Sequence, residues 1–230
     1  MWKIVNSGTN RAEVNMAMDE KLLEELNPND PPILHFYDFE LPAATYGFFL
    51  KPEGFLKEGH GLNLARRPTG GGILFHLWDL TFSVLIPKNH PGYSDDVMKN
   101  YKYINDLVLI ALSEYLEMPL LSLLPENPIP IDEVTKHFCF AKPTKYDVMI
   151  NGKKVAGAAQ RRKKNGFLHQ GSISMIMPDF ELLQKILPEE TLTASSMKQH
   201  TFALTEGNLD EAKKKLRILL QKVISGEEAL

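Results

Sequence analysis

The sequence has little cysteine, no strong excess of charge of either sign and no long apolar run. Cys139 is the only cysteine in 230 residues, which excludes an internal disulfide and a cysteine metal cluster. The net charge of −3 and the absence of a long basic run give no indication of a nucleic-acid partner. No apolar stretch approaches the ~18–20 residues that cross a bilayer, and the N-terminal residues lack the hydrophobic region of a signal peptide. We therefore expect a cytoplasmic protein that binds no metal, nucleic acid or membrane.

The composition is that of a globular protein, with 43% hydrophobic residues. A chain of this length and composition can bury a full core as one α+β domain. No internal repeat, low-complexity linker or shift in composition divides it. We predict one domain over residues 1–230, with C-terminal helices from about residue 178 packed on it and no large accessory domain.

The most distinctive stretch runs from Ala65 to His76 and reads Ala-Arg-Arg-Pro-Thr-Gly-Gly-Gly-Ile-Leu-Phe-His. Consecutive glycines leave the main chain open to a ligand and accept positive φ without a steric penalty. Arginine side chains beside bare backbone N–H groups make a site for a carboxylate, a phosphate or another oxyanion. The alternative is a glycine-rich hairpin turn with solvated arginines. The residues concerned are Arg66, Arg67, Gly70, Gly71 and Gly72.

These glycines fit neither of two common nucleotide-binding motifs. The phosphate loop G-x-x-x-x-G-K-[ST] is absent, and the dinucleotide motif G-x-G-x-x-G requires a helix after the glycines. Here Ile73–Phe75 and Leu80–Ile86 are rich in β-branched and aromatic residues and are predicted as strands. The pattern is therefore strand, glycine turn, strand.

A second informative segment lies between residues 146 and 175. Tyr146–Ile150 and Lys154–Gln160 are predicted to pair as a hairpin through Asn151-Gly152, a strong two-residue turn signal. Gly157 and its two alanine neighbours are small for strand residues, which indicates that something packs close to the sheet there. Phe167–Met175 is predicted as the next strand.

The other elements follow from periodicity and capping signals. Asn10 and Glu13 read as a capping box that opens the first helix, and Asn208 with Glu211 reads as another that opens the C-terminal helix. Asn15, Asp19 and Glu20 are polar positions in the first helix, which we take as solvated or as a support for a loop. Further strands are expected at Lys3–Asn6, Ile33–Tyr37 and Ala43–Gly47, and further helices from Ser94 to Leu116 and near Phe180–Ile186.

Together these segments resemble the lipoate-protein ligase A and octanoyltransferase family. Residues 66–71, with His76 and residues 80–84, are similar to the family signature. Residues 152–160 are similar to its G-[RK]-K-[IV]-x-G-x-A-Q segment, and residues 169–173 to its closing H-G-[ST]-[IL] pattern. Residues 15–20 are similar to its first helix, so the matches run in the family's order along most of the chain.

The resemblance implies the α+β catalytic domain shared with biotin-protein ligase, with mixed and largely antiparallel sheets flanked by helices. It implies an acyl chain in an apolar tunnel over a sheet. The family's invariant lysine corresponds to Lys154 rather than Lys153, and its ammonium would stabilise charge at the acyl carbonyl or hold an adenylate phosphate. The alternative for Lys154 alone is an exposed strand lysine. The acyl- or adenylate-binding residues implied are Arg66, Arg67, Gly70, Gly71, Gly72, His76, Gly157, Ala159, His169 and Gly171.

Cys139 points to one branch of the family. Phe138-Cys139-Phe140, followed by Pro143 and Tyr146-Asp147, resembles the cysteine-dependent octanoyltransferases of the LipM type and the amidotransferases of the LipL type. A thiol exchanges readily with a thioester, and a lysine amine then takes the acyl group as a stable amide. A neighbouring cation, Lys154 or His137, would favour the reactive thiolate. The alternative is a small buried cysteine without chemistry.

Four features depart from the family pattern, two of them single residues and two of them short runs. Leu77 stands where the family commonly has aspartate, and Gly72 stands where octanoyltransferases often carry arginine. His169-Gln170-Gly171 replaces a more usual Gln-His-Gly or His-His-Gly. Residues 46–49, Tyr-Gly-Phe-Phe, replace a Gly-Arg-x-Gln pattern. These departures leave the donor of the acyl group open.

The resemblance therefore implies an enzyme of protein lipoylation that attaches an octanoyl or lipoyl group to the lysine of a lipoyl domain through a Cys139 thioester. The donor would be acyl carrier protein or an acylated H protein. The acceptor would be a lipoyl domain of a 2-oxoacid dehydrogenase or the glycine cleavage H protein, and no cofactor is needed. The first alternative is a lipoate-protein ligase that uses ATP and Mg to form lipoyl-adenylate. The second is an inactive module that binds an acyl group or a lipoyl domain.

Overall fold

A computed structural model describes residues 1–117, 120–128, 133–189 and 191–226. Strands and helices mix along the chain, and the described helices include none long and apolar enough to cross a membrane. The elements in chain order are β1 (Lys3–Asn10), α1 (Ala12–Glu25), β2 (Ile33–Phe39), β3 (Ala43–Tyr46), β4 (Asn63–Arg66), β5 (Ile73–His76), β6 (Asp79–Pro87), α2 (Val97–Leu116), β7 (Leu121–Leu123), β8 (Val148–Ile150), β9 (Lys153–Lys163), β10 (Gly166–Ser174), α3 (Phe180–Ile186), α4 (Thr193–His200) and α5 (Leu209–Ser225).

The strands form two sheets. The large sheet has the order β1-β2-β6-β10-β9-β8-β7, in which β1 and β2 are parallel and the other neighbours antiparallel. The small sheet has the order β4-β3-β5, in which β3 is parallel to β4 and antiparallel to β5. The prediction of mixed, largely antiparallel sheets flanked by helices is confirmed.

The core lies on the central strands of the large sheet. Every residue of β6 and of β10 is buried, so both faces of these strands are covered. One face packs against α2 and α5, which contribute Ile104, Leu112 and Leu216. A second cluster, which includes Ile73, Phe75, Phe138 and Met197, joins the small sheet to α3 and α4. The small sheet and the central strands of the large sheet enclose a cavity between them.

The predicted hairpin is confirmed, and its turn residues explain it. Asn151 and Gly152 have φ of 49° and 74°, and they join β8 to β9. Positive φ at both central residues is the geometry that matches the twist of two antiparallel strands, and Asn-Gly adopts it at low cost. The turn fixes the register that places Lys154 opposite Met149.

Two capping predictions had different outcomes. The cap on α5 is confirmed, because the Asn208 side chain accepts hydrogen bonds from the backbone N–H groups of Asp210 and Glu211. The cap on α1 is wrong, because β1 continues to Asn10 and the residue that precedes the helix is Arg11, which provides no side-chain cap. The Asn10 amide instead donates to the Ser7 carbonyl, within the same strand.

The hairpin alternative for the glycine turn is also wrong. β4 and β5 lie on opposite sides of β3, so residues 67–72 cross over the end of that strand. Among the described elements, β7 and α4 were not predicted from the sequence, and β4 was predicted only as the strand before the glycine turn, without bounds. α4 has one large buried apolar side chain, Met197, and its other buried residues, Thr193 and Ser196, are polar, so the apolar spacing that indicates a helix is absent.

Candidate active site

A cavity of about 370 Å³ lies between the small sheet and the central strands of the large sheet. α1 and α2 add Met16 and Tyr101 to its wall, and the segment that carries Cys139 closes one side. Most of the residues singled out from the sequence line it, while Arg66 and His169 do not. Those that line it are Arg67, Gly70, Gly71, Gly72, His76, Cys139, Lys154, Gly157, Ala159 and Gly171.

Cys139 is held in place by its backbone neighbours. It follows a short 3-10 turn at Thr135–His137, and its N–H donates to the Ile73 carbonyl of β5 at 2.9 Å. Phe138 is buried beside it and stacks on Phe75, with 5.9 Å between ring centroids. The thiol is free and half-buried at the cavity wall. The alternative, a small cysteine buried in the core, is therefore wrong.

The cation that touches the thiol is Arg67. Its Nη2 lies 3.7 Å from the Cys139 sulfur, and its buried guanidinium donates to the Gly70 carbonyl and to the Thr45 hydroxyl. The sequence analysis named Lys154 or His137 as the neighbouring cation and did not name Arg67. Lys154 also lies close, because it donates to the Cys139 carbonyl. A fixed guanidinium puts positive charge where a thiolate or a thioester oxyanion would form.

Lys154 is buried and makes two polar contacts. Its Nζ donates to the Cys139 carbonyl at 2.9 Å and pairs with the Asp147 carboxylate at 2.8 Å. An exposed strand lysine, the alternative for this position, is excluded. A Cβ at Gly157 would overlap with the end of the Lys154 side chain, so this glycine leaves the space that the ammonium occupies.

Asp147 is a site residue to which the sequence analysis gave no role. Its carboxylate is completely buried and accepts hydrogen bonds from the Thr144 N–H at 2.7 Å, the Thr144 hydroxyl at 2.9 Å and the Tyr101 hydroxyl at 3.1 Å. Burial raises the pKa of Tyr101 well above its usual value, so the phenol keeps its proton. These bonds orient the carboxylate toward Lys154. The positive φ of 68° at Tyr146, the residue before it, was not readable from the sequence.

Two of the three glycines, Gly71 and Gly72, allow the loops around the thiol to approach each other closely. Gly71 has φ of +93°, and a Cβ there would lie 2.7 Å from Arg67 Nη2. A Cβ at Gly72 would overlap with the His137 carbonyl oxygen, which belongs to the segment before Cys139. Gly72, the departure from arginine, is therefore required by the close packing of this backbone.

His76 has the carboxylate partner that Leu77 does not provide. Its Nδ1 lies 3.0 Å from the Asp79 carboxylate, and its Nε2 lies 2.9 Å from the Thr45 hydroxyl. Burial acts to raise the pKa of Asp79, but the His76 charge and the hydrogen bonds outweigh it, so this pKa lies below its usual value. The ring stacks on Phe39 at 3.9 Å. His76 is thus fixed within the wall of the cavity.

His169 and Arg66 lie elsewhere than expected. His169 is completely buried, meets the Gln160 amide at 2.8 Å and has no partner for Nε2 among the described residues. Burial lowers the pKa of His169 to about 3, so the ring is neutral, and it does not line the cavity in which the resemblance placed it. Arg66 is exposed, with its guanidinium over the Phe48 ring, on the outer side of the glycine loop.

Of the polar residues of α1, Asn15 and Asp19 are buried and Glu20 is half-exposed. The solvated alternative is therefore wrong for the first two, and Asp19 supports a loop, which was the other alternative. Asp19 is completely buried and accepts hydrogen bonds from Ser83 at 2.5 Å and from the Gln170 amide at 2.7 Å. Gln170 in turn accepts from the Thr69 hydroxyl at 2.6 Å. This chain of bonds connects α1 to the residue before the glycines. An isolated sequence signals only that such residues are polar.

The geometry gives the cavity a nucleophile, a fixed cation beside it and a buried lysine that holds its backbone. Within the described ranges, no group of three or more histidine, cysteine, aspartate or glutamate residues is placed to hold a metal ion. The arrangement is suited to acyl transfer through a thioester, in which a sulfur attacks a carbonyl and positive charge steadies the oxyanion.

Comparison with known proteins agrees with this chemistry. The family model described as the lipoyl protein ligase A/B catalytic domain matches residues 11–218. The chain is similar to octanoyltransferase LipM of Geobacillus kaustophilus (strain HTA426), with 33% identity over 193 residues that cover 80% of this chain and 68% of the relative. It is also similar to octanoyltransferase LipM of Bacillus subtilis (strain 168), with 31% identity over 196 residues, 81% of this chain and 69% of the relative. The chain spans about two thirds of the length of these curated relatives.

Solved structures resemble the fold. The crystal structure of lipoate-protein ligase A bound with ATP has a TM-score of 0.73 and 22% identity, and the match covers 97% of this chain and 85% of that one. A bipartite lipoate protein ligase from Thermoplasma acidophilum, described with its E2 lipoyl domain, has a TM-score of 0.68 and 21% identity over 98% of this chain and 84% of that one. The expected α+β catalytic domain is confirmed.

Proposed function

This chain belongs to the lipoyl protein ligase A/B catalytic domain family, and from this membership we propose a course for its reaction. The enzyme is an acyltransferase of protein lipoylation, as its octanoyltransferase relatives are. In the proposed course, an octanoyl or lipoyl group passes from a carrier thioester to Cys139 and then to the lysine of a lipoyl domain. The observation that carries the proposal is the Cys139 thiol, which lies at the cavity wall with the Arg67 guanidinium 3.7 Å from its sulfur.

The first step is a thioester exchange. The Cys139 sulfur attacks the carbonyl carbon of the donor, the new carbon–sulfur bond forms, and the donor sulfur leaves with the proton that the Cys139 thiol gave up. One thioester replaces another, so the free-energy change is small. Arg67 would steady the sulfur as it becomes an anion.

The second step is aminolysis of the acyl-enzyme. The acceptor lysine amine attacks the same carbonyl, an amide forms, and the Cys139 sulfur leaves and regains a proton from the amine. The bonds of Lys154 to Asp147 and to the Cys139 carbonyl use two of its three N–H groups and fix the position of its ammonium. The third is available to donate to the acyl oxygen, where negative charge develops in both steps.

We propose two macromolecular partners, a carrier protein that donates the acyl group and a lipoyl domain that accepts it. The thioester donor would be acyl carrier protein. An acylated H protein carries its acyl group on a lysine as an amide, so with that donor the Cys139 sulfur would attack the amide carbonyl and the lysine amine would leave with the proton of the thiol. Neither course needs a further cofactor. The solved bipartite ligase described with its E2 lipoyl domain supports a lipoyl domain as the acceptor. Lipoyl domains of 2-oxoacid dehydrogenases and the glycine cleavage H protein both present such a lysine.

The test is transfer by the Cys139→Ala protein. Octanoyl carrier protein and an unmodified lipoyl domain are incubated with each enzyme, and the modified domain is measured by mass. We expect transfer by the wild-type protein and loss of it in the variant. Undiminished transfer by Cys139→Ala would remove the thiol from the mechanism.

A ligase that forms lipoyl-adenylate is the competing course, and the glycine triplet is the observation that favours it. The contact between Gly72 and the His137 carbonyl gives that glycine a packing reason that does not involve a nucleotide. Release of pyrophosphate from ATP on addition of free lipoate would support the ligase. We expect none.

A further inference from the structure

Arg66 belongs to a surface cluster that the reaction does not use. Its guanidinium carbon lies 4.6 Å from the centroid of the Phe48 ring, and that of Arg161 lies 4.6 Å from the same centroid. The two cations are therefore no more than twice this distance apart. Phe49 follows with its side chain 89% exposed, and its ring meets Phe48 edge-on. We call Phe48, Phe49, Arg66 and Arg161 the arginine–phenylalanine rim.

The arginine–phenylalanine rim is attached to the outer side of the glycine loop. The Phe48 N–H donates to the Thr69 carbonyl at 2.8 Å, and Arg161 donates to the Pro68 carbonyl at 3.0 Å. The next residues of the loop, Gly70 to Gly72, line the cavity, and Arg67 reaches the Cys139 sulfur. The rim and the thiol thus both contact the loop of residues 67–72.

The composition of the rim is that of a recognition surface. Arginine and aromatic side chains are enriched where proteins bind partners. The half-buried Phe48 lies between two cations, and the exposed Phe49 beside it adds little to a core. The chain as a whole carries a net charge of −3, so positive charge here is local. Glu20, at 3.7 Å from Arg161, offsets part of it.

We propose that the arginine–phenylalanine rim binds the acyl donor, by contact of its arginines with the phosphate of a phosphopantetheine arm. This inference rests on the proposed function, because a carrier thioester must bring its carbonyl to Cys139. Such an arm joins the thioester to its protein through a phosphodiester, and the guanidinium fork matches phosphate oxygens in shape and charge. The acceptor lysine arrives without a phosphate, so the rim distinguishes the donor from the acceptor.

The experiment measures carrier binding with and without the arm. Binding of octanoyl-phosphopantetheinyl carrier and of apo carrier, which lacks the arm, is measured against Cys139→Ala protein that also carries Arg66→Glu or, as a control, Lys214→Glu. Lys214 is an exposed lysine of α5, so the control reverses one charge away from the rim. We expect Arg66→Glu to weaken binding of the loaded carrier about tenfold and Lys214→Glu to leave it unchanged. Apo carrier should bind equally weakly with and without the Arg66→Glu replacement.

A kinetic measurement separates the rim from the chemistry. With Cys139 present, self-acylation by octanoyl-N-acetylcysteamine, a thioester without phosphate or protein, should proceed at the same rate in wild-type and Arg66→Glu proteins. With octanoyl carrier protein the variant should show a raised KM that depends less on salt.

Three results would overturn the inference. They are equal effects of Arg66→Glu and Lys214→Glu, equal slowing by Arg66→Glu with both thioesters, and a raised KM for the lipoyl domain alone, which would assign the rim to the acceptor. If neither thioester acylates Cys139, the proposed function fails, and the binding measurement still decides whether the rim recognises the arm.

Discussion

Replacement of Asp147 by asparagine tests whether its buried ion pair with Lys154 stabilises the segment that carries Cys139. Asp147 is completely buried, and the Lys154 side chain is 5% exposed, with 2.8 Å between their charged atoms. Asparagine has nearly the same shape but leaves the ammonium without its counter-charge. Removal of one partner of a buried pair typically costs about 3–5 kcal/mol. Because the amide retains some hydrogen bonds to Thr144 and Tyr101, we expect about 3 kcal/mol, the lower end of that range.

The assay is thermal unfolding at neutral pH, with a matched surface pair as control. For a chain of this size, the loss corresponds to a fall of about 6–12 °C in Tm. Asp106→Asn breaks a pair with Lys102 of similar length, 2.7 Å, whose side chains are 45% and 49% exposed. Such a pair contributes less than about 1 kcal/mol. Equal shifts in Tm for the two variants would refute the reasoning.

A double replacement isolates the charge. Lys154→Met combined with Asp147→Asn removes the uncompensated ammonium. The double variant should therefore lose less unfolding free energy than the sum of the losses in the two single variants. Additive losses would show that Asp147 acts on the fold through its hydrogen bonds to Thr144 and Tyr101 rather than through Lys154.

Two further predictions concern the glycine loop and His169. Gly72→Ala should lose about 1–3 kcal/mol of unfolding free energy, because its Cβ would overlap with a backbone oxygen. Gly70→Ala has open space around its Cβ and should change the free energy of unfolding by less than about 1 kcal/mol. Both free energies are measured by unfolding in urea, and equal losses in the two variants would contradict the packing argument. The pKa of His169 is lowered to about 3 by burial, so between the ordinary pKa and this value the unfolded chain binds a proton that the folded protein does not. The free energy of unfolding should therefore fall as pH drops below about 6.5, by up to about 1.4 kcal/mol per pH unit, and His169→Gln should flatten this slope. An unchanged slope would show that other groups cause the acid sensitivity.

Local signals were enough for most of the fold. The Asn151-Gly152 turn, the β-rich runs that become β6 and β10, and the cap at Asn208 are properties of short segments, so the sequence carries them openly. α4 was missed because tertiary contacts stabilise it. The Ser196 hydroxyl, for example, donates to the carbonyl of Ala141, which lies in the segment that carries Cys139. Asn10 was wrongly predicted as a helix cap because an asparagine side chain can also form hydrogen bonds within a strand, as it does here with the Ser7 carbonyl.

The site depended on long-range placement. The resemblance identified Cys139 and Lys154, and both line one cavity, but the partner of the Cys139 thiol lies far away along the chain. Arg67 reaches a sulfur 72 positions later, which no spacing rule indicates. The sequence left Asp19 either solvated or in support of a loop, because polarity alone does not show the partners of a side chain. The sheet beneath α1 supplies those partners, Ser83 and Gln170.

The central claim is that the acyl group resides on Cys139 between donor and acceptor. Intact mass after mixing the enzyme with octanoyl carrier protein, followed by addition of an unmodified lipoyl domain, measures this directly. We expect one octanoyl group on the wild-type enzyme, none on Cys139→Ala, and its transfer to the lipoyl domain when that domain is added. An octanoylated lipoyl domain formed at the wild-type rate by Cys139→Ala, with no adduct on either enzyme, would contradict the claim.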